Sequence, residues 1–187
     1  MQIIKGLAIL CLVLSTITVN SGTIDRDYKY ERYHEAQEYC QIEAFHDLFI
    51  SSIAYLKEAE GFSSELYLCP AGHLTIGYGK SVQDSSINHV TEEVAEVMLY
   101  LHFEDEIQYI ERDLQMSRYD SPGKVLACAL FIYNVGRGSW TKSAIRKSVK
   151  HDLDISGEIM KWVHIKKKKS KSLLKRRQFE LNLYIGS

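Results

Sequence analysis

Residues 125–135 read Val-Leu-Ala-Cys-Ala-Leu-Phe-Ile-Tyr-Asn-Val, and this run constrains the fold more than any other. Laid on a helix, it is apolar on nearly every side. A helix of that kind is stable only when other elements cover it all round. Ser121-Pro122 supplies a start signal, with proline in the first turn where its missing N–H costs nothing. Gly136-Arg137-Gly138 supplies the stop. The remaining sequence must therefore provide the cover, and most of it is helical in period. Residues 46–59 carry Phe49, Ile53 and Leu56 at helical spacing, with Asp47 as the expected N-cap and Gly61 as the expected stop. Thr91, followed by Glu92 and Glu93, caps a second helix whose apolar positions are read as Val94, Val97, Met98, Leu101, Ile110 and Leu114. Further helices are expected over 141–150, 155–164 and 171–185. The polar stretch 22–45, with Tyr28, Tyr30, Tyr33 and Tyr39 among charges, is an irregular or helical lead-in.

Between the first two helices the period changes. Residues 66–69 and 74–78 are short strand-like runs around Pro70-Ala71-Gly72-His73, a hairpin signal. A three-residue loop of Ala71-Gly72-His73 places Cys69 opposite Thr75, on one face of the hairpin. At 187 residues the chain is long enough for one domain with a sizeable core.

The formal net charge of −1 hides an asymmetry. Residues 22–136 hold 8 Lys and Arg against 20 Asp and Glu, and residues 137–187 hold 14 against 4. The basic part, with its run Lys166-Lys167-Lys168-Lys169-Ser170-Lys171, suits a solvated loop or an anionic partner. The N-terminus narrows the partner. Lys5 precedes an apolar run of about 14 residues, 6–19, which is short beside the roughly 20 a spanning helix needs. Residues 1–21 thus read as a secretory signal, or as a releasable signal anchor in the inner membrane. Export makes nucleic acid an unsuitable partner and a wall polymer a suitable one. Cys11, Cys40, Cys69 and Cys128 show no metal-ligand spacing, so neither a metal nor a cofactor is expected.

Glu60 is the candidate acid. A carboxyl at a helix end, packed near aromatics, can be held protonated by desolvation, as glycoside cleavage requires of its general acid. Eight residues separate Glu60 from Cys69 and five separate Cys69 from Thr75, which opens Thr75-Ile76-Gly77-Tyr78-Gly79. This arrangement closely resembles the catalytic region of the phage-type lysozymes, glycoside hydrolase family 24. That family places a Glu, then an Asp or Cys, then a Thr at these intervals. Phe131-Ile132-Tyr133-Asn134-Val135-Gly136-Arg137-Gly138 and the later Leu173-Leu174-Lys175-Arg176-Arg177-Gln178-Phe179-Glu180 resemble further parts of the same family, over residues 47–187 in all.

The resemblance implies an α+β, mainly helical lysozyme-like fold: a small lobe with the hairpin, a larger helical lobe and a cleft between them. It implies an N-acetylmuramidase acting on the β-1,4 bonds between N-acetylmuramic acid and N-acetylglucosamine in bacterial peptidoglycan, for host-cell lysis, as an exported monomer. Glu60 would be the general acid, Cys69 the second catalytic group and Thr75 the residue that holds the water. Tyr133, Ser143 and Ser81 would line the saccharide cleft, and Arg176 or Arg177 would pair with Glu60. The catalytic domain would span 46–187. Lys80 departs from the family, where many members have His, and the lysine run replaces a Gly-rich segment. Membrane-released members with the thiol motif also imply a redox switch, a Cys40–Cys69 bond displaced by Cys11. Two rivals stand beside this reading. One is a lytic transglycosylase, and the other is a non-enzymatic wall-binding protein using the basic half.

Overall fold

The computed structural model describes residues 26–69, 72–83 and 87–186. The chain divides at Glu43/Ala44 into two compact units. Cys11 and the apolar segment 6–19 lie outside the described residues. Within the described residues, no helix is long and apolar enough to cross a membrane.

Helix α1 runs Arg26–Glu60, so the lead-in is helical and continuous with the helix expected from residue 46. Asp47 therefore lies inside the helix and is not its N-cap. The reason is local: residues 26–45 contain no Gly or Pro and are rich in Glu, Gln, Ala and Arg, so nothing interrupts the ladder. Gly61 does end it, with φ +71° and its N–H donating to the Lys57 carbonyl at 3.1 Å. Of the first unit, Tyr39, Cys40 and Ile42 on this helix are exposed.

In the second unit, strands β1 (Ser63–Leu68), β2 (Leu74–Gly77) and β3 (Lys80–Ser81) form an antiparallel sheet in that order. Helix α2 (Glu92–Leu114) follows, capped by Thr91, whose side chain accepts from the Val94 N–H. Helix α3 (Pro122–Val135) is the central helix, with every residue from Val125 to Ile132 buried. Pro122 sits in its first turn, but the Ser121 side chain makes no cap bond. Then come α4 (Arg137–Lys142), α5 (Ala144–Lys150), the single turn α6 (Ser156–Ile159), a small hairpin of β4 (His164–Ile165) and β5 (Lys168–Lys169), and α7 (Lys171–Ile185). The helix expected over 155–164 is thus one turn leading into a strand. Helix α3 packs against α2, α4 and α7, the cover its composition demands. Phe131 at its heart meets the edges of Trp140 and Trp162. Trp140 is fully buried and donates its Nε1–H to Asp113 at 2.9 Å.

Two expectations are corrected here. On α2 the buried residues are Ala95, Leu99, Phe103, Glu106, Ile107 and Ile110, whereas Val94, Val97 and Leu101 are exposed. The helix carries two apolar stripes, and contact decides between them. Ala95 sits on Gly77, where an added Cβ would come within 3.0 Å of the alanine's own. The hairpin register also differs. Leu68 pairs with Leu74 and Tyr67 with Thr75, so Cys69 lies opposite His73, to whose carbonyl its N–H donates at 2.9 Å. The turn closes through Gly72, at φ +83° and with its N–H donating to the Cys69 carbonyl at 2.8 Å, rather than through His73. The shift is two residues across the pair, so Cys69 and Thr75 keep a common face as diagonal neighbours.

The lysine run is ordered as the β4–β5 hairpin. Its two-residue turn puts Lys166 at φ +45° and Lys167 at φ +67°, a conformation that favours Asn-Gly over lysines. Replacing them (Lys166→Asn with Lys167→Gly) is expected to stabilise the protein by about 1 kcal/mol, read as a rise of about 2–4 °C in Tm. An unchanged or lower Tm contradicts the assigned turn.

Candidate active site

Glu60 is the last residue of α1, and its direction into the molecule is fixed by two contacts. Arg176 on α7 donates its Nη2–H to Glu60 Oε1 at 2.6 Å. On the other side lies Gly79, at φ +78°, where a Cβ would come within 3.3 Å of Glu60 Oε2. A side chain there would be strained by the positive φ and would crowd the carboxylate, so glycine suits the position. Of the two arginines, Arg176 is the one that meets Glu60. Arg177 turns away into the core. Its guanidinium lies 4.7 Å over Phe131, donates to Asn134 Oδ1 at 2.7 Å and is 3.0 Å from the Glu180 carboxylate. Arg177 and Glu180 are both fully buried. Burial pushes the Glu180 carboxyl up, against the opposing pull of Arg177 and Arg176.

A cavity of about 390 Å³ opens beside Glu60. The sheet side contributes Gly79, Lys80 and Ser81, α2 contributes His102 and Glu106, and the end of α3 contributes Ile132, Tyr133, Asn134 and Gly136. Tyr133 is held by donating its hydroxyl to the Tyr78 carbonyl at 3.1 Å, and its ring packs on His102 at 4.6 Å. Burial, and then the neighbouring Glu60 charge, push the Tyr133 hydroxyl far above its ordinary range, so it acts as a neutral donor and acceptor. Tyr78 is tied in turn, donating to Glu92 at 2.6 Å.

The structure thus brings Glu60, Ser81 and Tyr133 to one cavity. Thr75 is buried on β2 directly opposite Ser81, and its hydroxyl donates to the His73 carbonyl at 3.0 Å. Through these pairings Thr75, Ser81 and half-buried Cys69 occupy one face of the sheet. Ser143 is elsewhere. It is buried as the N-cap of α5, accepting from the Arg146 N–H and donating to the Trp140 carbonyl. Its hydroxyl is committed to the fold, and it does not line this cavity. Cys40 belongs to the first unit.

Sequence reading missed His102 and Glu106. They stand four apart on α2, with His102 Nε2 3.5 Å from Glu106 Oε1. Arg137 donates to Glu106 Oε2 at 2.8 Å. Burial is the largest single influence on Glu106 and raises it, but His102 and Arg137 together outweigh it, so the carboxyl is held below its usual range. The i, i+4 spacing was legible. A charged pair at that spacing ordinarily marks a solvated helix face, which is why it carried no signal.

The fold has solved counterparts. The muramidase domain of SpmX from Asticaccaulis excentricus is 18% identical and superposes with a TM-score of 0.63, over 72% of this chain and 95% of that one. The endolysin from Escherichia coli O157:H7 phage FAHEc1 is 24% identical with a TM-score of 0.58, over 72% and 90%. At these identities the likeness establishes the fold, a lysozyme-like one with a mainly helical body and a small antiparallel sheet. In sequence, the endolysin of Acyrthosiphon pisum secondary endosymbiont phage 1 is 32% identical over 148 residues, 71% of this chain and 93% of its own length. The profile described as phage lysozyme matches residues 57–180, from the end of α1 into α7. With the Glu60 site, the fold and these matches in agreement, the chain belongs to the phage lysozyme family of glycoside hydrolases.

Proposed function

We propose that this protein is a muramidase that hydrolyses the β-1,4 bond between N-acetylmuramic acid and N-acetylglucosamine in peptidoglycan, with Glu60 as its general acid. The observation that carries the reading is the setting of the Glu60 carboxyl. Oε1 is occupied by Arg176, which leaves Oε2 against bare Gly79 at the edge of a polar cavity. A carboxyl clamped by one oxygen cannot rotate away, and its other oxygen is the one that delivers the proton. Related proteins named endolysin and muramidase support the substrate class.

In the reaction Glu60 gives its proton to the glycosidic oxygen as the bond from that oxygen to the anomeric carbon breaks. The oxygen of a water bonds to the anomeric carbon, and the water's proton is released. Cys69, as thiolate, occupies the role of the second carboxylate: it stabilises the oxocarbenium-like transition state, or steers or deprotonates the water. Thr75 holds that water by its hydroxyl, turning from the His73 carbonyl it contacts in the free protein. Tyr133 and Ser81 line the sugar site. Product and substrate differ by one water, which separates this route from the anhydro-sugar product of a transglycosylase. The exported location and a lytic role in the host cell follow from the wall substrate.

Two variants test the reading. Glu60→Gln keeps the shape of the site but has no proton to give, so clearing of isolated peptidoglycan is expected to fall by at least roughly 100-fold. Persistent clearing would shift the account to a non-enzymatic, wall-disrupting protein. Gly79→Ala is expected to fold and yet lose roughly 10- to 100-fold in rate, because its Cβ crowds Glu60 Oε2. An alanine variant as fast as wild type would show that Oε2 is not the reacting oxygen.

A further inference from the structure

The charges lining the cavity are matched, with one exception. Glu60 has Arg176 at 2.6 Å, and Glu106 has Arg137 at 2.8 Å and His102 at 3.5 Å. Lys80 also lines the cavity and, among the described residues, has no carboxylate within ion-pair distance. Its backbone is held in the sheet by pairing with Ile76, and it follows Gly79, the residue that touches Glu60. The backbone of this unmatched, half-buried residue is therefore held next to the glycine that meets the acid, in the lining of a concave site that a bound ligand would dry. Desolvating an ammonium without a partner is unfavourable. A ligand that fills this cavity well must bring an anion to Lys80.

We infer that Lys80 is a specificity residue that recognises a carboxylate carried by the muramic acid residue next to the bond being cut. This rests on the muramidase reading. In such a glycan the N-acetylglucosamine unit is neutral, and the acid groups belong to the muramic acid: the free carboxylates of the peptide where one is attached through the lactyl group, or the lactyl carboxylate itself where none is. Either presents the same chemistry to an ammonium. A neutral polymer of N-acetylglucosamine has no such group and would leave Lys80 buried and unmatched. The interaction is a charge-assisted hydrogen bond at a partly shielded site, stronger than an exposed surface pair.

The test compares the full-length wild type with Lys80→Gln and Lys80→Arg, with folding checked by melting temperature. Initial rates of new reducing ends give kcat/KM on three substrates: purified peptidoglycan, the same material with its free carboxylates converted to primary amides, and glycan strands stripped of peptide by an amidase. Lys80→Gln is expected to lose roughly 5- to 20-fold on purified peptidoglycan and less than about 2-fold on the amidated form, with Lys80→Arg close to wild type. A loss that persists on stripped strands extends the recognition to the lactyl carboxylate, which the amidase frees from its amide bond to the peptide. A loss confined to peptide-bearing material assigns the peptide. Equal losses on all three substrates, or none on any, would overturn the inference while leaving the muramidase reading intact. Failure of the wild type to cut any of them would overturn both.

Discussion

The ion pair between Arg176 and Glu60 is the interaction on which the site depends. It joins residues 116 apart in sequence and fastens the end of α1 to α7. Both partners are largely shielded, Arg176 more than Glu60, so the pair is less screened by salt than a surface pair. Its geometric effect matters more than its energy. It fixes which oxygen of Glu60 is occupied by Arg176 and which faces Gly79 at the cavity. The α7 helix that supplies Arg176 is itself anchored to the central helix by Arg177, which reaches Phe131 and Asn134. Adjacent arginines thus serve two purposes, one facing the site and one facing the core. The buried Arg177–Glu180 contact adds little stability of its own, since burial disfavours the charged form of Glu180 and desolvation offsets the attraction.

The central helix explains why the site can be held so closely. Residues packed on every side cannot shift one at a time. Helix α3 carries the core at Phe131 and Ile132 and the cavity wall at Tyr133 and Asn134 within a single turn. Positions that line the cavity are therefore continuous with positions that touch Trp140 and Trp162. The sheet has the complementary role. It supplies Lys80 and Ser81 through backbone pairing, and Gly79 in the turn that joins β2 to β3.

Much of this was legible in the sequence, for reasons that can be named. The apolar run at 125–132 required a buried helix, and the intervals between Glu60, Cys69 and Thr75 resembled those of a family whose fold has a cleft beside a hairpin. The hairpin pairing was read two residues off because the loop was placed by its length, while Gly72 took the left-handed position. On α2, Ile110, Met98 and Leu114 do meet the core, but Val94, Val97 and Leu101 were chosen in error because they match helical spacing as well as Ala95, Leu99 and Phe103 do. Nothing local separates two apolar stripes until Gly77 and α3 select one. Choosing Arg176 over Arg177 needed the rotation of α7, which depends on the whole core. Ser143 had the right offset but a different task, since capping α5 uses its hydroxyl. His102 and Glu106 look like an ordinary surface pair until the fold turns them inward.

The central claim is that water cleaves a muramyl glycosidic bond at Glu60, and product chemistry tests it most directly. Soluble fragments released from purified peptidoglycan would be analysed by mass spectrometry, with borohydride reduction to mark their ends. The account predicts fragments ending in reducing N-acetylmuramic acid, each carrying the added water. Fragments ending in the anhydro sugar, in reducing N-acetylglucosamine, or with intact glycan and cut peptide would contradict it.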